Sequence, residues 1–354
     1  MKKLLLASVL LIFLALGCVG NEERKETKLQ VNQGLGVINV YSPPDFTPKT
    51  TGTFSITVRN NLEGFYAKNV IATLENVRPF KIFDCGKEND PLETRSCSGS
   101  YELDKGLLVS QHGVKMLAPG QEIIFTWYLV APSSEEIANI ALEHPLYYLV
   151  EYDYAETVSQ NIVMIHEKEY QRIIQSNESL PVGTSFSSAG ELRVYTKTPQ
   201  PIRYQFVDSA VPITLIFELK NEGSGYPVSD VLLVAQLPKG IGSTESTEAH
   251  GWYSYEDFNE DCYNGSAEID CKEWLEEMFK DYDFSKGNFL IKKLDHTLNF
   301  QDVFVYLPVE VTQREMSKLK SSNTLSKTYP FSLYIVYRYA TEGKTYIKVY
   351  PLGE

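Results

Sequence analysis

The sequence predicts a mainly β protein made of two tandem antiparallel β-sandwich domains with short helical insertions. Three observations support this prediction. Strand-like segments alternate between apolar and polar residues, turns rich in glycine and proline separate them, and the segments recur in the same order in both halves of the chain. The 354 residues also leave room for two domains, since a domain commonly holds about 150 residues.

The first element is a leader. Met1 to Lys3 is basic, Leu4 to Leu16 is almost wholly apolar, and small residues lie next to Cys18. This order is typical of a secretory signal. It resembles the lipobox of prokaryotic lipoproteins, in which the cysteine becomes the lipidated first residue of the mature chain. We therefore expect residues 1–17 to be a signal peptide and Cys18 to carry the lipid.

The alternative to a cleaved leader is an uncleaved membrane anchor. The apolar run is shorter than the roughly 20 residues that a spanning helix needs, which favours cleavage. Either outcome places the body of the protein on the outer face of the cytoplasmic membrane. Residues 18–33 are charged and lack an apolar period, as expected of a lipidated tether.

The rest of the chain repeats itself. Four segments of the first half have counterparts in the second, and the order is the same in both. The matched pairs are Phe54–Asn60 with Leu215–Asn221, Ala67–Leu74 with Val228–Leu237, Ile123–Pro132 with Val303–Pro308, and Tyr147–Ala155 with Ser332–Ala340. We therefore predict one sandwich at 34–165, a linker at 166–189, and a second sandwich at 190–354.

In individual segments, the spacing of apolar residues is that of a strand or of a helix. Phe54, Ile56 and Val58 alternate with Ser55 and Thr57, as expected of a strand with one wet face. Helical periodicity appears only locally, and the linker also begins with a segment that could form a short helix. These helical segments are Ser133–Leu142, Glu167–Ile174, Cys271–Tyr282 and Gln313–Lys320.

The repeated strand, turn and Pro-Gly strand, as in Leu117–Trp127, resembles the immunoglobulin-like (Ig-like) adhesion modules of the CARDB and S-layer-associated type. Such modules occur on archaeal and bacterial surface proteins. The resemblance covers most of 34–165 and, less clearly, 190–354, where Leu294–Leu298 replaces the Pro-Gly element. It implies two Ig-like domains with a role in adhesion or envelope scaffolding, and it brings no catalytic residues.

Cysteine spacing supports an exported protein. With Cys18 assigned to the lipid, two local pairs remain, Cys85 with Cys97 and Cys262 with Cys271. In an exported chain, this pattern predicts two disulfides, one in each half. The alternatives are two reduced pairs or one four-cysteine metal site, but the spacings lack the short turns of zinc knuckles.

An acidic stretch in the second half is the candidate cation site. Oxygen-bearing side chains recur at alternate positions, as in an EF-hand calcium loop, although Cys262 stands where that loop needs glycine. The candidate calcium ligands are Asp257, Asn259, Asp261, the Tyr263 carbonyl and Glu268. The alternative is a solvated acidic insert held by a disulfide, with no cofactor.

Aromatic residues just before this stretch are candidate contacts for a protein or a sugar. Trp252, Tyr253 and Tyr255 follow His250 and Gly251, which favour a loop. The alternative is that these side chains pack in the interior, as aromatic residues of strands and hairpins commonly do.

No catalytic motif stands out. The five histidines have no metal-binding spacing, and the chain contains neither a G-x-S-x-G elbow nor a phosphate-binding glycine loop. The net charge of −13 disfavours nucleic acid as a partner. We therefore expect a non-enzymatic, membrane-anchored lipoprotein that binds or scaffolds an envelope protein or a surface glycan. The alternative is a lipoprotein that captures a solute, either a glycan or a cation.

Overall fold

The computed structural model describes residues 34–43, 45–61, 65–83, 96–102, 108–188, 190–265, 267–280, 282–296 and 303–351. For residues 83, 96–102 and 108–112 only the backbone is described. All these residues belong to one compact unit, Val31–Glu354.

The described part of the first half, up to residue 166, is built of strands that end in one very long strand. They are β1 Leu35–Tyr41, β2 Asp45–Phe46, β3 Thr51–Asn60, β4 Ala67–Glu75, β5 Lys81–Phe83, β6 Ser96–Glu102, β7 Leu108–Leu117, β8 Glu122–Val130 and β9 Leu142–His166.

The described part of the second half combines strands with four short helices. The strands are β10 Ser185–Ser187, β11 Leu192–Thr196, β12 Ile202–Tyr204, β13 Val211–Asn221, β14 Tyr226–Pro227, β15 Val231–Gln236, β16 Ile241–Gly242, β17 Tyr253–Ser254, β18 Asp261–Tyr263, β19 Glu268–Asp270, β20 Phe289–Leu294, β21 Val303–Val311 and β22 Ser326–Val349. The helices are α1 Glu167–Gln175, α2 Glu245–Ala249, α3 Cys271–Met278 and α4 Gln313–Ser321.

The strands form one large central sheet, two small four-stranded sheets and the two-stranded hairpin β18-β19. One four-stranded sheet has the order β1-β3-β8-β5, and the other has the order β11-β13-β21-β16. The central sheet runs β17-β20-β15-β22-β9-β4-β7-β6, with β2, β10, β12 and β14 added at its sides. Nearly all neighbours are antiparallel; β2 with β22 and β12 with β9 are the parallel pairs among the described strands. The predicted mainly β, antiparallel fold is confirmed.

The two halves have the same strand order. The small sheet of the first half matches that of the second strand by strand, and β9-β4-β7-β6 in the central sheet matches β22-β15-β20-β17. The long strands β9 and β22 pair antiparallel along their whole length, from Leu142 opposite Val349 to Ile165 opposite Ser326. The central sheet is therefore continuous through both halves, and the division into two domains stays a prediction.

Both small sheets pack on one face of the central sheet. In the first half, Phe54 of β3 and Trp127 of β8 share a hydrophobic core with Val150 of β9. In the second half, Phe217 of β13 stacks on Phe331 of β22, with ring centroids 5.4 Å apart. Each half therefore has two layers of strands with apolar side chains between them, and the central sheet supplies one layer to both.

In the second half, an insert covers the opposite face of the central sheet. Residues 243–288 lie between β16 and β20, and they bring α3 and the hairpin β18-β19 against β15, β20 and β22. Trp274 and Leu275 of α3 pack there on Leu232 and Tyr334. A disulfide between Cys262 and Cys271 joins the hairpin to the start of α3.

Three of the predicted helical segments form helices, and the fourth does not. The helix α4 begins after Thr312, whose hydroxyl accepts a hydrogen bond from the Glu315 N–H, and α1 begins after His166. Residues 133–140 instead form tight turns. Ala138 and Asn139 have φ values of 51° and 58°, and this left-handed conformation cannot continue a helix.

Candidate functional site

Four buried tyrosines mark the middle of the β9–β22 pair. Tyr152 lies beside Tyr339 and Tyr154 beside Tyr337, with ring centroids 5.9 Å and 5.8 Å apart. The hydroxyl of Tyr152 accepts a hydrogen bond from the first N–H of β1, at Leu35, over 3.3 Å. The hydroxyl of Tyr337 accepts one from the first N–H of β11, at Leu192, also over 3.3 Å. The small sheets of both halves thus begin on equivalent tyrosines of the central sheet.

Two buried carboxyl groups contact these tyrosines near the start of β11. Glu156 lies on β9, and Glu191 directly precedes β11. The Tyr152 hydroxyl donates to Glu191 Oε1 over 3.1 Å, and the Tyr337 hydroxyl donates to Glu156. Burial raises the pKa of Glu156 to about 8 and the pKa of Glu191 to about 6. A Cβ atom at Gly190 would lie 1.8 Å from Glu156 Oε1, so only glycine fits there. These contacts hold the beginning of β11 against the central sheet.

A groove opens beside β11, between that strand and the segment that leads into it. Its volume is about 490 Å³, and one wall is formed by residues 182–187, the other by β11 and the residues after it. The lining residues are Gln160, Val182, Gly183, Ser185, Ser187, Val194, Tyr195, Thr196, Lys197, Thr198 and Gln200. We call this feature the β10–β11 groove.

The side chains of the groove are mostly hydroxyls and amides. On its floor, the Thr196 hydroxyl donates to Gln160 Oε1 over 2.8 Å. At its end, Gln200 Oε1 accepts the Gly183 N–H over 3.0 Å. Lys197, the charged lining residue, forms a salt bridge of 2.8 Å with Glu218. The groove therefore offers hydrogen-bonding groups with little net charge.

Sequence reasoning missed this groove. The sequence predicted a linker at 166–189 but did not predict that part of it would lie opposite β11. A usable signal is the segment Thr184–Ser188, in which every residue except Phe186 is serine or threonine, followed closely by the strand Leu192–Thr196. Two short polar strands joined by a tight connection can leave a slot between them.

The predicted contact aromatics are largely interior, which corrects the expectation of an exposed cluster. Trp252 is 0% exposed and lies in the main core, where its indole N–H donates to the Tyr306 carbonyl over 2.9 Å. Tyr255 is half-buried, stacks on Phe284, and donates its hydroxyl to Glu276. Tyr253 is 36% exposed. Trp252 lies inward because an apolar pocket and a backbone acceptor satisfy both parts of its side chain.

The predicted calcium ligands are spread along a hairpin and its approach. Asp257 accepts a hydrogen bond from the Ser254 hydroxyl over 2.5 Å, and Asn259 accepts one from Lys272 over 3.4 Å. Asp261 lies on β18 and Glu268 on β19, with Tyr263 paired to Glu268. The Tyr263 carbonyl accepts the Asp230 N–H over 2.8 Å. The structure does not gather the three carboxylates Asp257, Asp261 and Glu268 into one cation site.

Among the described residues, the side chains that come close enough to share a metal ion are Asp230, Asp295 and His296. The carboxylate of Asp230 already accepts the backbone N–H groups of Tyr263 and His296, each over 2.9 Å. This cluster thus has a structural use in holding the hairpin and the end of β20 together.

Of the cysteines, Cys262 and Cys271 form a disulfide, in the pairing that the sequence predicts, with 5.1 Å between their Cα atoms. Cys18 and Cys85 lie outside the described residues, and Cys97 is described only by its backbone on β6. The lipidation of Cys18 and the Cys85–Cys97 disulfide therefore stay predictions.

Comparisons with known proteins leave the family open. No family model matches the chain. No curated protein matches it. Among solved structures, a crystal structure from Corynebacterium diphtheriae described as a membrane-anchored protein is 10% identical, covers 78% of this chain and 83% of its own, and has a TM-score of 0.22.

A second solved structure is AvmM, which catalyses macrocyclization in alchivemycin A biosynthesis. It is 15% identical, and the similarity covers 32% of this chain and 70% of AvmM, with a TM-score of 0.19. Scores this low carry no argument about the function of the present chain.

Within the described ranges, no helix is both long enough and apolar enough to cross a bilayer.

Proposed function

We propose that the chain is a lipid-anchored protein of the outer face of the cytoplasmic membrane. Its body, two Ig-like repeats joined through one central sheet, binds or scaffolds an envelope component without catalysing a reaction. Residues 1–17 would be removed as a signal peptide, and Cys18 would carry the lipid at the end of the 18–33 tether.

The disulfide between Cys262 and Cys271 is the observation that carries this proposal. Disulfides persist in oxidising compartments outside the cytoplasm and are rare within it. Both cysteines are buried within the insert, where they link a hairpin to a helix that covers the central sheet. This agrees with the export that the basic and apolar leader predicts.

The repeated strand order supports the Ig-like part of the proposal. Each half places a four-stranded sheet over four strands of the central sheet, with an apolar core between the two layers. Rigid sandwiches of this kind commonly present binding surfaces on their loops and edges. An adhesion or scaffolding role of the CARDB or S-layer-associated type stays part of the proposal.

The location can be tested on intact cells with an amine-reactive biotin reagent that does not cross membranes. The described surface carries exposed lysines, Lys81 and Lys286 among them. We expect the full chain to be labelled as strongly in intact cells whose outer layers are permeable to the reagent as in lysed cells. A cytoplasmic protein, which should be labelled only after lysis, is the control. If the chain in intact cells were as protected from labelling as this control, the proposal would be contradicted.

A second candidate function is capture of a solute by a lipoprotein of the same location. The hydroxyl and amide lining of the β10–β11 groove favours a neutral glycan over a cation. Calorimetry of the full chain in detergent with maltohexaose and chitohexaose tests this alternative. Saturable heat from either sugar supports solute capture, and its absence leaves the binding or scaffolding function.

A further inference from the structure

We propose that the β10–β11 groove binds an extended peptide segment of a partner protein, which adds a strand along the open edge of β11. The inference deepens the proposed binding function and rests on it. It follows from where the backbone donors and acceptors of the two walls point.

The first wall is the edge of β11. This strand is the terminal member of its sheet, and β13 is its neighbour on one side only among the described strands. The Lys197 N–H donates to the Ile216 carbonyl over 2.8 Å, and the Glu222 N–H donates to the Glu191 carbonyl over 2.9 Å. In an antiparallel ladder, alternate residues bond to the same neighbour. Odd-numbered residues therefore face β13, and the backbone groups of Val194 and Thr196 face the groove.

The second wall, formed by β10, also has backbone groups that face the groove. The strand β10 pairs with β9, and the two bonds that flank it run from the Asn161 N–H to the Thr184 carbonyl, over 2.9 Å, and from the Ser188 N–H to the Thr157 carbonyl, over 3.0 Å. Even-numbered residues of this segment therefore bond to β9. The backbone groups of Ser185 and Ser187 point the other way, and both residues line the groove.

The two walls belong to different layers, since β10 extends the central sheet and β11 ends a small sheet. An extended chain that adds to the edge of β11 would lie about 4.8 Å from that strand, with its other edge toward Ser185 and Ser187. Peptides that add a strand to a sheet edge gain their affinity from main-chain hydrogen bonds of this kind.

The side chains of the groove define the composition of the peptide. Gly183, Ser185 and Ser187 give one wall little bulk, and Thr196 gives the facing wall a short hydroxyl. The Lys197 charge is neutralised by Glu218. We therefore infer a segment with small, uncharged side chains, rich in serine, threonine, glycine or alanine.

The test uses the full chain in detergent and a phage-displayed library of random dodecapeptides. Enriched peptides are resynthesised with and without N-methyl groups at central amides, and their affinities are measured by calorimetry. We expect each central N-methyl group to weaken binding by about tenfold or more, because it removes a main-chain donor. A glycan has no main-chain N–H donors, so sensitivity to N-methylation distinguishes a peptide ligand from a glycan.

Matched variants of adjacent residues locate the site. Ser185 lines the groove, whereas its neighbour Phe186 does not and is 72% exposed. Ser185→Tyr should weaken peptide binding by about tenfold or more because it fills the slot, and Phe186→Tyr should leave binding within about twofold. Circular dichroism of both variants checks that the fold is retained.

Three results would overturn the inference. These are a library that enriches no peptide, peptides that bind equally well after N-methylation, and a Ser185→Tyr variant that keeps full affinity. Binding of maltohexaose or chitohexaose that Ser185→Tyr abolishes would assign the groove to a glycan instead. Each result is independent of surface labelling, so failure of the peptide site and failure of the proposed location are distinguishable.

Discussion

Asp153 and Arg338 occupy equivalent positions in the two repeats and form a salt bridge with each other. Asp153 Oδ1 and Arg338 Nη1 are 3.0 Å apart, and the two residues lie directly opposite one another in the β9–β22 pair. Both are buried. A residue that pairs with its own equivalent lies on the approximate two-fold axis that relates the repeats. Opposite charges can occupy that axis because one chain encodes both positions separately.

The surroundings of this pair are less symmetric than its position. Asn69 donates to Asp153 Oδ2 over 2.7 Å, and Glu151 lies 3.5 Å from Arg338 Nε. Burial raises the pKa of Asp153, and the positive charge of Arg338 opposes that increase. The pair therefore compensates a cost that either charge alone would impose.

Breaking this pair should destabilise the whole protein. We expect Arg338→Met to lower the free energy of unfolding by about 3–5 kcal/mol, because it leaves Asp153 buried without its opposite charge. The exchange Asp153→Arg with Arg338→Asp should recover a large part of that loss, since the two-fold axis swaps the two positions. Urea denaturation measures both effects. An exchanged variant as unstable as the sum of its single substitutions would contradict the symmetry.

Glu156 should make stability depend on pH. Its folded pKa is about 8 against an ordinary value of 4.5, so between these values the folded protein holds a proton that the unfolded chain has lost. The stabilisation is therefore complete below the ordinary pKa, and it falls as pH rises, by up to about 1.4 kcal/mol per pH unit. Glu191 also makes stability fall as pH rises, but its contribution levels off near its own folded pKa of about 6.

Glu156→Gln should flatten this dependence. The amide cannot ionise, so we expect the free energy of unfolding to fall less between pH 6 and pH 8 than in the unchanged protein. Urea denaturation across that range measures the slope. Glu169→Gln, at a partly exposed position of α1, is the matched control and should keep the original slope. An unchanged slope in Glu156→Gln would show that this carboxyl is ionised in the fold.

Removing the Cys262–Cys271 disulfide should loosen the insert. The bond closes a short loop, with a sequence separation of 9, and a loop of this length corresponds to about 2–3 kcal/mol. We expect the double variant Cys262→Ala and Cys271→Ala to lose this amount in chemical denaturation. Reduction of the unchanged protein should give at least this loss, because it would also open the predicted Cys85–Cys97 disulfide. A reduced protein of undiminished stability would contradict the structural role of the bond.

Trp252 and Tyr253 should differ sharply although they are adjacent. Trp252→Ala empties a core position and removes a hydrogen bond, so we expect a loss of about 3–5 kcal/mol in the free energy of unfolding. Tyr253→Ala changes a partly exposed side chain and should cost about 1 kcal/mol or less. Thermal and urea denaturation compare the two. Similar losses would contradict the placement of Trp252 in the core.

The local elements were predictable from the sequence because local periods and caps encode them. The alternation around Phe54 matches β3, and the helical period beginning at Gln313 matches α4. The repeat could be recognised because equivalent strands carry similar residues. The sequence could not show that β9 and β22 pair with each other, since this pairing joins residues far apart in the chain and leaves no local pattern.

The candidate sites were harder to predict for the same physical reason. Oxygen-bearing residues at every second position suit a calcium loop, but they suit a β-hairpin equally well, and Asp261–Tyr263 pairs with Glu268–Asp270 as a hairpin. Trp252 follows a His-Gly pair that favours a loop, yet a pocket built by distant strands buries it. The β10–β11 groove depends on the placement of two strand edges, which no single segment encodes.

The mass of the mature amino-terminal peptide tests the central claim most directly. The full chain is isolated from the membranes of a prokaryotic host and digested, and the peptide that contains residue 18 is identified by mass spectrometry. The account predicts a peptide that begins at Cys18 and carries a thioether-linked diacylglycerol. A peptide that begins at Met1, with an unmodified Cys18, would contradict it.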